Sequence, residues 1–493
     1  MHPTRWLFIA SVLLLATSSP GRTESPDKIP LDFLLPNEKI KTPAHLETPI
    51  VFVSRNPQAE WDKLTQFWTV GIDKTTDPAT GTVVSRPIVR IKLPLGLTQG
   101  PPIPPENPMT LDKWKLGKQL YFDPILSSNA TVSCATCHDP ATGFSNHDKV
   151  STGIFKKRGG MNSPTVMGSA YNRLQFWDGR AESLEHQAQG PVGNPVEMFD
   201  GQGEPWDGAV TRMRKNPEYV KQFSAVFGHL PTRDAAAKAI AAYERTVIIG
   251  NSLNDRVDVA MRLRVEEEES TNTKVLPKDY AKVLKDAVAM KDKYSLDAIG
   301  FDPNDLENVA KSLADGRTLF FGKARCANCH VGDTMTDHQF HNIGVGVVDG
   351  KLPPTLAGRF AQLPLGHKNP EAMGAFKTPT LRGLLVTKPY MHDGSEATIE
   401  ATVDFYDKGG NANEFLDAKM RDLDAERAYL LAKAKGTTYE GPAVVLCGPN
   451  QKPIVPFALK LTPQEKKDLV LFLKAWQGDA VDAMVADPEK GLK

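Results

Sequence analysis

Cysteine is scarce in this chain, 5 in 493 residues, and four of those sit in two short motifs, so no disulfide framework can brace the fold. Net charge is lacking as well. Lys+Arg and Asp+Glu are both 59, which removes the electrostatic case for nucleic acid or an acidic surface as partner. The apolar run near the start, Trp6 to Ala16, is too short for a comfortable membrane span, and no stable span is expected. With Arg5 before it and small residues through Ser19 after it, the layout is that of a secretory signal over residues 1–24, a retained N-terminal anchor being the other reading. The fifth cysteine closes the apolar stretch Val444-Val445-Leu446-Cys447 and reads as a buried inert thiol, a reactive one coming second.

What is present in their place is Cys134-Ala135-Thr136-Cys137-His138 and, again, Cys326-Ala327-Asn328-Cys329-His330. A C-x-x-C-H pentapeptide attaches a c-type haem: two thiols one helical turn apart each bond a vinyl group, and the adjacent imidazole reaches the iron. Zinc would need further ligands at short spacing, and a redox C-x-x-C does not require the histidine. Two covalent haem c groups follow, on Cys134, Cys137 and His138 and on Cys326, Cys329 and His330. Thioether attachment of haem in bacteria takes place outside the cytoplasm, which agrees with the leader and gives a periplasmic reading.

Residues 25–105 carry no haem motif and are read as an N-terminal extension with some β-structure and no assigned role. Ile50–Val53 and Pro87–Leu93 look like short strands, with Trp61 to Trp68 helical between them. A stiff Gly100–Pro105 linker ends the region, and Thr110 caps a helical pattern through Leu111, Trp114, Leu120 and Tyr121. From there the chain repeats itself. Gly117-Lys118-Gln119-Leu120-Tyr121-Phe122 precedes the first haem motif as Gly316-Arg317-Thr318-Leu319-Phe320-Phe321 precedes the second. Pro164-Thr165 leads to Trp177-Asp178-Gly179 as Pro379-Thr380 leads to His392-Asp393-Gly394. The expected fold is mainly α: two tandem c-type cytochrome domains, 106–260 and 300–480. The joining segment, around 250–305, carries a solvated Glu266–Glu269 run. The second copy has a longer loop after its motif, with His338, His341 and His367. A late insertion, roughly 411–460, precedes a terminal helix begun by Thr462-Pro463-Gln464-Glu465.

Aligned on Pro-Thr and Asp-Gly, the copies place Trp177 opposite His392 and Pro191 opposite Tyr406. A tyrosine binds iron as phenolate; proline has no side-chain donor. If that position faces the iron in both copies, the second haem is His330/Tyr406 and the first is open beyond His138. Tyr406, next to Phe405, also reads as a core aromatic. Peroxide chemistry at an open haem needs a proton carrier and a polar orienting group. Glu197 and Gln187, flanking Gly190-Pro191, supply both, although a lone loop glutamate is also read as a solvated carboxylate.

These residues resemble the bacterial di-haem cytochrome c peroxidase/MauG superfamily over roughly 106–480. The resemblance rests on both haem motifs and on Gln175-Phe176-Trp177-Asp178-Gly179-Arg180 and Gly190-Pro191-Val192 leading to Glu197-Met198. It rests also on Thr378-Pro379-Thr380-Leu381-Arg382 leading to Pro389-Tyr390-Met391-His392-Asp393-Gly394. It implies that Trp177 lies between the haems and carries electrons or holes, and that Gln187, Pro191 and Glu197 line the peroxide pocket. It further implies a calcium between the haem domains, held by the Asn162 side chain and the Thr387 and Pro389 carbonyls. Peroxidases that need reductive activation have methionine where this chain has Tyr406, and a loop histidine capping the first haem. The matching loop position here is near Ile154; His147 is out of register, and Met391 is a rival iron ligand. The MauG-like branch, with tyrosine and no cap, fits better. The expectation is a periplasmic peroxidase that takes hydrogen peroxide at the first haem and shares two oxidising equivalents through Trp177 with the second. Its electron source would be a small cytochrome c or cupredoxin, or a protein substrate. The alternatives are a di-haem electron-transfer cytochrome without peroxidase activity and a classical cytochrome c peroxidase that needs reductive activation.

Overall fold

The computed structural model describes residues 41–491; the leader assigned to 1–24 lies outside them. The N-terminal part is a three-stranded sheet of β1 (Ile50–Val53), β2 (Trp68–Thr76) and β3 (Val83–Lys92), with β3 central, parallel to β1 and antiparallel to β2. The helix expected over Trp61–Trp68 is not formed as such. Only Gln58–Asp62 is helical, and Trp68 opens β2 instead, paired with Ile91. The alternation Trp68-Thr69-Val70-Gly71-Ile72 has a strand period, and nine residues of ladder outweigh one helical turn. The sheet shares a core with the first haem half: Trp68 meets Trp114 edge-on at 5.0 Å, within a cluster holding Val89, Ile91, Tyr121 and Tyr243.

Each haem half is built around one crossed helix pair. Leu111–Phe122 packs on Arg233–Glu244, and Leu306–Phe321 on Pro463–Lys474. The repeat explains why Gly117 and Gly316 are glycines. A Cβ at Gly117 would lie 1.8 Å from the Ala239 carbonyl oxygen, and one at Gly316 would lie 2.1 Å from that of Asp468. Only a hydrogen at those positions lets the two backbones touch. Thr110 holds the N-cap position of the first helix without a side-chain bond. Thr462 forms a full capping box with Glu465: its hydroxyl accepts from the Glu465 N–H at 3.2 Å, and the carboxylate accepts from the Thr462 N–H at 2.7 Å.

The segment between the halves is packed rather than slack. Helices Leu253–Glu267 and Pro277–Ala289 bury Leu253, Val257, Tyr280 and Leu284 against Ala310 and Leu313. Glu266–Glu269 are exposed at its end. Arg382 makes two parallel bonds, 2.8 and 2.9 Å, to Asp255, and so ties this segment to the second half. The late insertion forms helix Leu423–Lys435 and a hairpin, Val445–Cys447 with Lys452–Ile454, and Cys447 is 2% exposed. Among the described residues no helix is long and apolar enough to cross a membrane.

Candidate functional site

Two cavities sit side by side, one per half, and their shared wall includes Asn162, Trp177, Lys377 and Pro379. The first, about 310 Å³, is lined by Cys137, His138, Gln187, Pro191 and Glu197. The second, about 220 Å³, is lined by Cys326, Cys329, His330 and Tyr406.

The two haem motifs are presented alike. Each histidine N–H donates to the carbonyl of the first cysteine, His138 to Cys134 at 2.9 Å and His330 to Cys326 at 3.0 Å. This turn brings both thiols and the imidazole to one side. Ser145 Oγ donates to the Ser163 carbonyl, and its counterpart Thr336 Oγ1 to that of Thr378, both at 2.7 Å. Burial lowers the pKa of both imidazoles, which favours the neutral, metal-binding form. His330 Nδ1 lies 3.0 Å from the Met335 carbonyl, and the His138 imidazole faces the Phe144 and Pro164 carbonyls. Neutral buried imidazoles beside paired thiols and a cavity fit covalent haem in both halves.

The distal walls differ, and the repeat shows how. Ser183 and Thr398 are equivalent N-caps, their hydroxyls accepting from the His186 and Ala401 N–H groups. In the second half the helix runs unbroken, Ile399–Asp407, and directs Ile399, Thr402 and Tyr406 at its cavity. In the first half it stops at Gln187 and restarts as Gly190–Gly193. Proline lacks the N–H for the i−4 bond and crowds that carbonyl, so Pro191 breaks the helix. Leu184, Gln187 and Pro191, the residues in register with the three above, line the first cavity.

Glu197 lies on the loop beyond that break. Burial raises its pKa, while Arg180 and the Asn194 amide, which donates to Oε1 at 2.5 Å, pull it down. The position matched to a capping loop, Ile154, is fully buried, its N–H bonded to the Glu197 carbonyl at 2.9 Å. His147 is exposed beside the Val386 carbonyl. Burial pushes the Tyr406 phenol well above its ordinary range. Met391 lines the second cavity too, but it occupies a positive-φ turn position, 71°, that Phe176 occupies at 67° in the first half.

Between the cavities the repeat folds back on itself. Trp177 and its counterpart His392 meet edge-on at 6.4 Å. The Trp177 indole donates to the Asn162 carbonyl at 2.9 Å, and the Asn162 N–H to that of His392 at 2.8 Å. Asn162, Thr387 and Pro389 all line the second cavity; the Asn162 amide nitrogen is bonded to the Asp148 and Lys149 carbonyls, so its oxygen is the uncommitted atom.

Sequence reasoning missed Glu244 and Lys377. Glu244 lines the first cavity, and burial raises its pKa to about 8. A lone carboxylate in the apolar run from Ala235 to Ile249 was the available signal.

A sequence profile described as di-haem cytochrome c peroxidase matches residues 111–262. The chain is 31% identical over 396 residues to cytochrome-c peroxidase IdrP1 of Pseudomonas sp. strain SCT, covering 76% of this chain and 83% of that one. It is 32% identical over 380 residues to the methylamine utilization protein MauG of Methylorubrum extorquens, covering 75% and 90%. A solved MauG-like protein associated with microbial copper homeostasis superposes with a TM-score of 0.56 at 25% identity, over 80% of this chain and 98% of that one. The chain belongs to the di-haem cytochrome c peroxidase/MauG family. It is a di-haem peroxidase, an oxidoreductase with two c-type haems.

Proposed function

We propose that this is a periplasmic peroxidase of the MauG-like branch, in which hydrogen peroxide enters the first cavity and the second haem is held by His330 and Tyr406. The observation that carries this is the register of Leu184, Gln187 and Pro191 in the first cavity with Ile399, Thr402 and Tyr406 in the second. Haem held by Cys134, Cys137 and His138 would supply two-electron reduction of the O–O bond. Glu197 takes the proton from one peroxide oxygen and delivers it to the departing one; the Asn194 bond fixes Oε1 and leaves Oε2 for the transfer. Gln187 donates a hydrogen bond that orients the peroxide. Pro191 offers no donor and keeps the face open. Burial keeps the Tyr406 phenol protonated, so a ferric ion is what would hold it as phenolate; an anionic oxygen favours the oxidised states.

Trp177 stands in the wall common to both cavities and is the route for electrons or holes. Its N–H is bonded to a peptide carbonyl, which is not a base, so a hole there keeps its charge and passes on. Asn162, Thr387 and Pro389 offer oxygen ligands of the kind calcium takes. Electrons come from a small periplasmic cytochrome c or cupredoxin, or from residues of a partner protein, since neither donor needs to enter the cavity.

Peroxide added to the as-isolated ferric protein tests the reading. A high-spin EPR signal should vanish and give a long-lived high-valent species, and Tyr406→Phe should convert the second haem's low-spin signal. Two low-spin haems that ignore peroxide would leave the electron-transfer cytochrome; a thioether band that Tyr406→Phe leaves unchanged would assign Met391 instead.

A further inference from the structure

Lys377 is the one basic side chain in the wall common to both cavities that is also deeply buried, 8% exposed. Its backbone N–H donates to the Trp177 carbonyl at 2.8 Å, which fixes it beside the interhaem tryptophan. Its ammonium has no hydrogen bond and no ion pair among the described residues. Burial alone acts on it, lowering its pKa to about 8, and no carboxylate offsets that. The charges that face this region from neighbouring elements do not help. Lys377 and Arg173 both repel a proton on His338. Asp337, the acid that acts on the neighbouring His338, is occupied by His341 at 2.9 Å and Lys419 at 3.2 Å. His392, which lines the second cavity, is 5% exposed, and its buried Nε2 also lacks a partner among the described residues.

A buried cation without a counter-charge is strongly disfavoured. The polypeptide does not supply that charge, so whatever fills the cavities must. Haem brings two propionate carboxylates per ring.

We propose that Lys377 is the counter-ion of a haem propionate at the junction of the two cavities. The pair places a neutralised carboxylate beside Trp177, so a hole crossing there meets no uncompensated lysine charge. The proposal rests on the two covalent haems and not on the assignments of Tyr406 or Glu197.

The test is a redox titration of the intact di-haem protein without peroxide, read with the propionate bending bands of the resonance Raman spectrum. Lys377→Gln should lower the midpoint potential of at least one haem, because removing a nearby positive charge favours ferric iron, and should shift those bands. Lys377→Arg should keep both midpoints while shifting the bands. Mass and the alkaline pyridine spectrum report that both haems remain attached. Should Lys377→Gln fail to accumulate, the bands of Lys377→Arg decide. Midpoints and bands unchanged in Lys377→Gln, or bands unchanged in Lys377→Arg, would overturn the pairing. Because peroxide is absent, this outcome is independent of whether the first cavity reacts with it.

Discussion

The two cavities are copies of one design that diverge over a single turn of helix. Up to the N-cap the halves match, Ser183 for Thr398, and the motif histidines are oriented by the same backbone bonds. Beyond it, Gly190-Pro191 breaks one helix while Phe405-Tyr406 continues the other. On the proposed assignments, the first cavity gains Asn194 and Glu197 beyond the break in place of an iron ligand, and the second gains the Tyr406 phenol. On that reading, one proline separates a site suited to moving protons from a site suited to storing an oxidising equivalent. The lesson is that chemistry has been divided between equal scaffolds by altering how a helix ends.

The largest expected effect falls on one side only. Glu197→Gln keeps shape and removes the proton carrier, so the rate of peroxide reaction should fall by about 10²- to 10⁴-fold. Stopped-flow absorbance measures it, and the spectrum of the second haem should not change. A rate within a factor of a few of wild type would mean that the buried Glu244, in the same cavity, moves the proton instead.

Next come two substitutions that should act equally if the halves are true copies. Gly117→Ala and Gly316→Ala each gain up to about 1 kcal/mol of helix propensity, but push a methyl into a backbone carbonyl at 1.8 or 2.1 Å. The clash wins, and each should destabilise by at least about 3 kcal/mol, the upper end of ordinary overpacking. Denaturant unfolding followed at each haem's absorbance should show the loss in the mutated half. A tolerated alanine in one half would show that its helix crossing is looser than its twin.

Much of this was legible before any coordinates. The haem motifs, the repeat and the Pro191/Tyr406 register are local patterns, and the fold preserves them because each copy solves the same packing problem. What was not legible depends on contacts far apart in sequence. Trp68 looked helical because the partner that makes it a strand, Ile91, lies beyond a turn. Lys377 gave no signal because it adjoins the Thr378-Pro379-Thr380 motif and reads as a solvated charge until both cavities close around it. Trp177 and His392 were aligned as equivalents, yet no alignment says that equivalents touch.

The pH dependence separates the halves again. His341, near the second haem motif, is held between Asp417 at 2.7 Å and Asp337 at 2.9 Å. Burial disfavours its charge, but the two carboxylates more than offset that and raise its pKa above an ordinary 6.5. A group whose pKa is raised on folding stabilises fully below its unfolded value and loses that contribution as pH climbs to the folded one. Thermal stability of the second half should therefore fall as pH rises above about 6.5. His341→Asn should flatten that slope; an equal slope in the variant would place the alkaline loss elsewhere.

The smallest effect tests the finest difference. Tyr121 and Phe320 are repeat counterparts, both fully buried behind their haem motifs. The Tyr121 hydroxyl donates to the His138 carbonyl at 2.8 Å, a bond that phenylalanine cannot make for His330. Tyr121→Phe gives the first half the second half's residue and leaves packing volume almost unchanged. The lost hydrogen bond should cost about 1 kcal/mol. Because that carbonyl follows the haem-ligating imidazole, the variant should also broaden the high-spin EPR signal of the first haem while leaving the second untouched. Stability and line shape both unchanged would mean the hydroxyl only fills space, and that the two proximal sides are as alike as their sequences suggest.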